Sequence, residues 1–183
     1  MTDSIAVLGM LKIVYTIYTV AIMSLFGWFA YGLTAESKPK GILKMPFYGY
    51  IALLVIVGVS IHILTFNKIP WVEMDLKRAN MTPDKTFNIV MEKQKFILPS
   101  DKLMIDCNDK VLFNVDSKDL TYGFGLFRED NTMVFQMQVL PANKNDLLWQ
   151  FGQNGLYTIR STEYSGPDGV PPLVGAVEVQ GCK

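Results

Sequence analysis

Histidine is almost absent: His62 stands alone in 183 residues. One imidazole rules out most histidine-built metal sites and acid–base pairs within this chain. Cysteine is nearly as scarce, with only Cys107 and Cys182. They lie far apart, so no CxxC redox or zinc pair exists. Charge is thin as well, at 19% of residues, against about 25% in an ordinary soluble domain. Seventeen basic residues balance seventeen acidic ones. No long-range field recruits polyanions, which argues against nucleic acid as a partner. An apolar share of 50% argues equally against disorder.

What is abundant is apolar sequence, and it is concentrated at the N-terminus. Residues 13–33 read IVYTIYTVAIMSLFGWFAYGL, and residues 47–66 read FYGYIALLVIVGVSIHILTF. Neither run holds an Asp, Glu, Lys or Arg, and about 20 apolar residues suffice to cross a bilayer. The polar stretch TAESKPKGILKMP joins them, so residues 1–66 read as a transmembrane helical hairpin in contact with lipid. A cleaved signal peptide fits the first run less well. The run is too long, lacks a small-x-small cleavage site and is followed by a second span. Lys38, Lys40 and Lys44 against Glu36 favour a cytoplasmic connecting loop. The charge rule therefore leans toward both termini outside. His62 lies near the end of the second span, where a hydrogen bond to a neighbouring helix is expected rather than haem ligation.

Residues 67–85 form a connection, in which Trp71 fits an aromatic belt position and a short amphipathic surface segment is possible. From residue 86 the chain changes character. Short apolar stretches (TFNIVME, FILP, KLMID, KVLFNVD, MVFQMQVLP, LYTIRST and VGAVEVQ) alternate with turn signals at NDK, EDN, QNG and SGPDG. This pattern predicts a small all-β Greek-key sandwich over residues 86–183.

Two spans followed by an extramembrane β domain is the layout of subunit II of haem-copper oxidases, and several segments carry the resemblance further. VLFNVDSKDLTYGFGL is similar to the family stretch in which a strand runs into Ser-x-Asp-Val-x-His-x-Phe. QMQVLPANKNDLLWQFGQNGLYTIRSTEYSGPDG is similar to the stretch ending in the family's copper loop, and PPLVGAVEV to its last strand. The resemblance covers roughly residues 93–180. It implies a cupredoxin-like fold, an extracytoplasmic domain, a cytoplasmic-membrane location and a catalytic haem-copper subunit I as partner.

The family's dinuclear copper centre takes two bridging thiolates, two His and a Met, soft ligands that suit copper. At the matching positions this chain carries Ser161 and Ser165 for the thiolates, Gly169 and Tyr122 for the histidines, and Pro172 for the methionine. The resemblance therefore implies no copper in this chain, with haem and copper in the partner, and no catalytic residues here. Tyr122 is expected to pack into the vacated pocket. Glu163 stands where the family binds a non-redox magnesium at the boundary with subunit I; an Arg or water partner is the other reading.

Without copper, the chain resembles subunits of quinol-oxidising members, in which quinol delivers electrons to the catalytic subunit. The Trp-rich stretch that serves cytochrome c is also missing: its place reads EKQKFILP, with Phe96 the only aromatic. Oxygen reduction is the first reading and nitric oxide reduction in the same superfamily the alternative. A free-standing membrane-anchored structural module is the second alternative. Finally, if the domain lies outside the cytoplasm, a Cys107–Cys182 disulfide is permitted. The strand directions that the resemblance implies would bring the two thiols together at the pole opposite the copper loop. Two unpaired thiols are the other reading.

Overall fold

The chain is seen in a computed structural model, which describes residues 4–35 and 46–182. The connecting loop with Glu36, Lys38, Lys40 and Lys44, on which the orientation argument rests, lies outside the described residues. The chain divides into two compact units, Ser4–Ile69 and the part from Pro70 onward.

The first unit is a pair of helices, α1 (Ser4–Thr34) and α2 (Phe47–Lys68). Both are long and apolar enough to cross a membrane, and very little of either is buried. α1 begins nine residues before the expected span at residue 13, because Lys12 does not break it. A long lysine side chain can run along the helix and place its ammonium at the interface. The helices run antiparallel. Tyr50 stacks on Phe29 at 4.7 Å and meets Phe26 edge-on at 5.8 Å. A Cβ on Gly58 would lie 3.9 Å from the Tyr18 hydroxyl. Within this chain His62 Nδ1 bonds the Gly58 carbonyl of its own helix at 2.8 Å. The i−4 carbonyl is the nearest acceptor, so the polar group is satisfied locally.

The second unit begins with α3 (Pro70–Lys77) and a 3₁₀ turn (Arg78–Asn80). Trp71 is half-buried. It packs on Trp149 with ring centroids 6.2 Å apart. Arg78 fastens the same segment to the sandwich by donating to the Asp146 carbonyl at 2.7 Å.

Nine strands follow among the described residues: β1 (Lys85–Glu92), β2 (Lys95–Ile97), β3 (Leu103–Asp106), β4 (Lys110–Ser117), β5 (Tyr122–Arg128), β6 (Met133–Val139), β7 (Asp146–Gln150), β8 (Gly155–Arg160) and β9 (Leu173–Gln180). They form two sheets, ordered β2-β1-β4-β7 and β3-β9-β8-β5-β6. β1 pairs parallel with β4, placing Phe87 beside Phe113, and β3 pairs parallel with β9, placing Ile105 beside Val179. The other pairings are antiparallel. Alternation puts Val111, Phe113 and Val115 of β4 inward. They meet Phe124, Phe135 and Ile159 from the facing sheet in one core. The expected all-β sandwich is present. Of its strands, β5 and β7 were not foreseen: YGFGLFR carries two glycines and DLLWQ is only five residues long.

Cys107 and Cys182 form a disulfide, with Cα atoms 5.0 Å apart. Asn154 braces it: its Nδ2 donates to the Cys182 carbonyl at 2.8 Å and its Oδ1 accepts from the Cys182 N–H at 2.7 Å. From there β8 runs six residues to Arg160, or about 20 Å at strand rise. That strand separates the disulfide from the loop carrying Ser161 and Ser165.

Candidate functional site

β8 delivers the chain into a loop, 161–172, that folds back over β5. The crossing depends on glycine. A Cβ on Gly123 would lie 2.3 Å from Thr162 Oγ1, 2.4 Å from the Thr162 nitrogen and 2.7 Å from the Glu163 nitrogen. One on Gly125 would lie 2.7 Å from Thr162 Cγ2. Real side-chain carbons do not approach that closely, so the two glycines are the groove in which the loop lies. This also explains why β5 is buried almost along its whole length. One of its faces belongs to the core and the loop covers part of the other.

Hydrogen bonds fix the loop. The Ser161 hydroxyl accepts from the Gly123 N–H at 3.1 Å and donates to the Glu163 carbonyl at 3.2 Å. The Ser165 hydroxyl donates to the Thr121 carbonyl at 3.1 Å, with the Glu163 carbonyl at 3.4 Å. Ser165 is only 6% exposed. Both serines thus converge on one backbone oxygen, that of Glu163. The Glu163 side chain is exposed, and neighbouring Tyr164 is 84% exposed.

Tyr122 is fully buried at the start of β5. Its hydroxyl donates to Asp119 Oδ1 at 2.7 Å and accepts from the Gln94 N–H at 3.1 Å. Burial pushes the phenol pKa up, and the Asp119 carboxylate adds to the effect. Asp119 accepts two more bonds, from the Lys93 N–H at 2.7 Å and the Leu120 N–H at 2.8 Å. Burial would raise its pKa, but the bonds from Tyr122, Lys93 and Leu120 outweigh that and hold the carboxyl below its ordinary value. The side chain of Gln94 donates to the Ser165 carbonyl at 2.7 Å. Tyr122, Ser161 and Ser165 therefore sit in one network. Gly169, at φ +64°, and exposed Pro172 lie farther along the same loop, and neither takes part in those bonds.

The donor set does not fit a copper pair. The serine hydroxyls are neutral and engaged in hydrogen bonds, Tyr122 is turned toward a carboxylate, and Gly169 and Pro172 offer no side-chain donor. Glu163 offers one hard carboxylate. Among the described residues no group of three or more His, Cys, Asp and Glu is placed to hold an ion.

Sequence reasoning did not single out Asp119 and Gln94. Asp119 lies inside the Ser-x-Asp segment already noted. Lys93-Gln94 lies in the three-residue gap between the strand-like runs TFNIVME and FILP, a spacing that suits a hairpin.

No family model and no curated protein matches the chain. Solved structures of similar fold include the periplasmic domain of subunit II of cytochrome oxidase from Bradyrhizobium japonicum, at 15% identity and TM-score 0.42 over 55% of this chain and 86% of that one. Another is auracyanin B, at 12% identity and TM-score 0.45 over 56% of this chain and 93% of that one. A chain of a heme-copper terminal oxidase dimer is similar at 13% identity and TM-score 0.44, over 72% of this chain and 95% of that one.

Proposed function

We propose that this chain is a copper-less subunit II of a haem-copper respiratory oxidoreductase, acting as a scaffold for the catalytic haem subunit. It has no catalytic residues of its own. The observation that carries the reading is the loop of 161–172 on a β-sandwich that follows two apolar helices, with segments that resemble the family's in order and with Ser161, Ser165, Gly169, Pro172 and Tyr122 where that resemblance puts the side-chain ligands of the copper pair.

The functional consequence follows from chemistry. A domain without copper offers no electron entry from cytochrome c, so electrons reach the catalytic subunit from quinol. Oxygen is the proposed acceptor. The Cys107–Cys182 bond supports an extracytoplasmic domain, because disulfides persist in oxidising compartments. That side of the membrane agrees with the charge pattern of the loop between the spans. Glu163 is proposed to face subunit I, where a magnesium ion shared with that subunit would find a hard oxygen ligand.

Purification of the native complex tests the reading. The chain should co-purify with haem, carry no copper of its own, and support turnover with quinol and oxygen. Fast turnover with reduced cytochrome c and none with quinols would overturn it. Reduction of nitric oxide without reduction of oxygen would select the nitric oxide reductase instead. Purification without haem would select the free-standing module.

A further inference from the structure

The turn between β1 and β2 contains a conflict. Lys93 and Gln94 both adopt positive φ, at 51° and 59°. Two successive left-handed residues are the signature of a hairpin turn normally built from Asn-Gly or Gly-Gly. Lysine and glutamine bear that backbone at a cost. Gln94 itself lies against glycine: a Cβ on Gly166 would come within 2.8 Å of Gln94 Nε2.

Both strained residues are engaged by side chains from a different part of the chain. The Lys93 N–H donates to Asp119 and the Gln94 N–H to Tyr122, which are themselves joined by a hydrogen bond. The Lys118 N–H bonds the Met91 carbonyl at 3.0 Å, binding the same two segments once more. From this anchored turn Gln94 reaches the Ser165 carbonyl. A glycine at residue 94 would ease the backbone and could not make that last bond.

We propose that Asp119, Tyr122 and Gln94 form a metal-free clasp in which the β1–β2 turn, held in a strained conformation, positions the 161–169 loop. The clasp joins three segments distant in sequence: the turn at 93–94, the β4–β5 connection at 119–122, and the loop after β8. A bridging ion could tie the last two together, and here hydrogen bonds do so through the first. Gln94 and Asp119 are positioning residues. They set where Glu163 and Tyr164 stand and touch no substrate.

The test exploits opposite signs. In the full chain in detergent, Gln94→Gly relieves the turn, so the amides of β1 and β2 keep or gain protection from hydrogen exchange. Exchange over 161–169 rises at least tenfold in the same protein. Tyr122→Phe cuts the clasp at its other end and exposes the Gln94 amide, while the Lys93 amide, held by Asp119, stays protected. A metal chelator leaves the wild-type loop protected. The proposal is overturned if 161–169 keeps its protection in Gln94→Gly, if Tyr122→Phe leaves the Gln94 amide protected, or if the chelator alone releases the loop.

Discussion

At the scale of single residues, backbone crowding and one carboxylate decide how this pole behaves. Gly123 shows the crowding. Adding a methyl group there forces the 162–163 backbone off β5, because the nearest atoms, at 2.3 to 2.7 Å, are largely backbone. Gly123→Ala should destabilise the domain by about 1–3 kcal/mol, the range for overpacking. Gly152 meets nothing within 4 Å and has no positive φ. Gly152→Ala should therefore fall within about 0.5 kcal/mol of wild type. Urea unfolding followed by tryptophan fluorescence compares the two. Like Glu73, Asp130 and Glu178, Asp119 is held below its ordinary carboxyl pKa and contributes to the acid side. Its folded pKa lies below the unfolded value, so the ionised form favours the folded state. That contribution is present above the unfolded pKa of about 3.9 and is lost as pH falls through the folded value. Lys93 and Leu120 donate to it through their amides and Tyr122 through its hydroxyl, while Glu92 lies near enough to Tyr122 to raise the phenol further. Asp119→Asn should flatten the acid limb of the stability profile. An unchanged slope below pH of about 4 would show that the carboxylate does not contribute.

At the scale of elements, the sequence placed strands where apolar stretches lay between turn signals and missed those with another logic. β4 alternates cleanly, and its inward residues could be read directly. β5 could not be read this way. Its glycines look like strand breakers, and only the loop lying on them makes them useful. α3 illustrates the same limit. A tryptophan just past a membrane span suggests the interface, and the sequence does not show that half-buried Trp71 also packs on buried Trp149, with ring centroids 6.2 Å apart and planes tilted by 33°. Trp71→Ala should cost about 1–3 kcal/mol of β-domain stability, given the area lost and the aromatic pair broken. Thermal unfolding by circular dichroism measures it. No change in midpoint would mean that the Trp71–Trp149 contact contributes nothing to the sandwich.

At the scale of the whole molecule, the disulfide is the one covalent cross-link among the described residues. It joins residues 75 apart. Closing such a loop in the unfolded chain is worth roughly 4–5 kcal/mol in the chain-entropy account. Cys107→Ser with Cys182→Ser should remove most of that, read as a lower urea midpoint. The loop of 161–169 should exchange as in wild type, because β8 separates it from the disulfide end. Loss of protection in that loop would show that the two poles are coupled through the sheet.

By itself the sequence determined the two apolar helices and the β character of the second unit. These are properties of composition, periodicity and residue identity, which tertiary contacts do not alter. Tertiary structure alone decided how the loop of 161–172 is held. The two serines meet at the Glu163 carbonyl, Tyr122 turns to Asp119, and Gln94 reaches Ser165 across 71 residues of sequence. No local pattern encodes the bonds that join distant segments, Gln94 to Ser165 and the Gly123 N–H to Ser161. They arise because packing two sheets together brings the β1–β2 turn, the β4–β5 connection and the β8–β9 loop to one end. Polar groups withdrawn from water there must find one another.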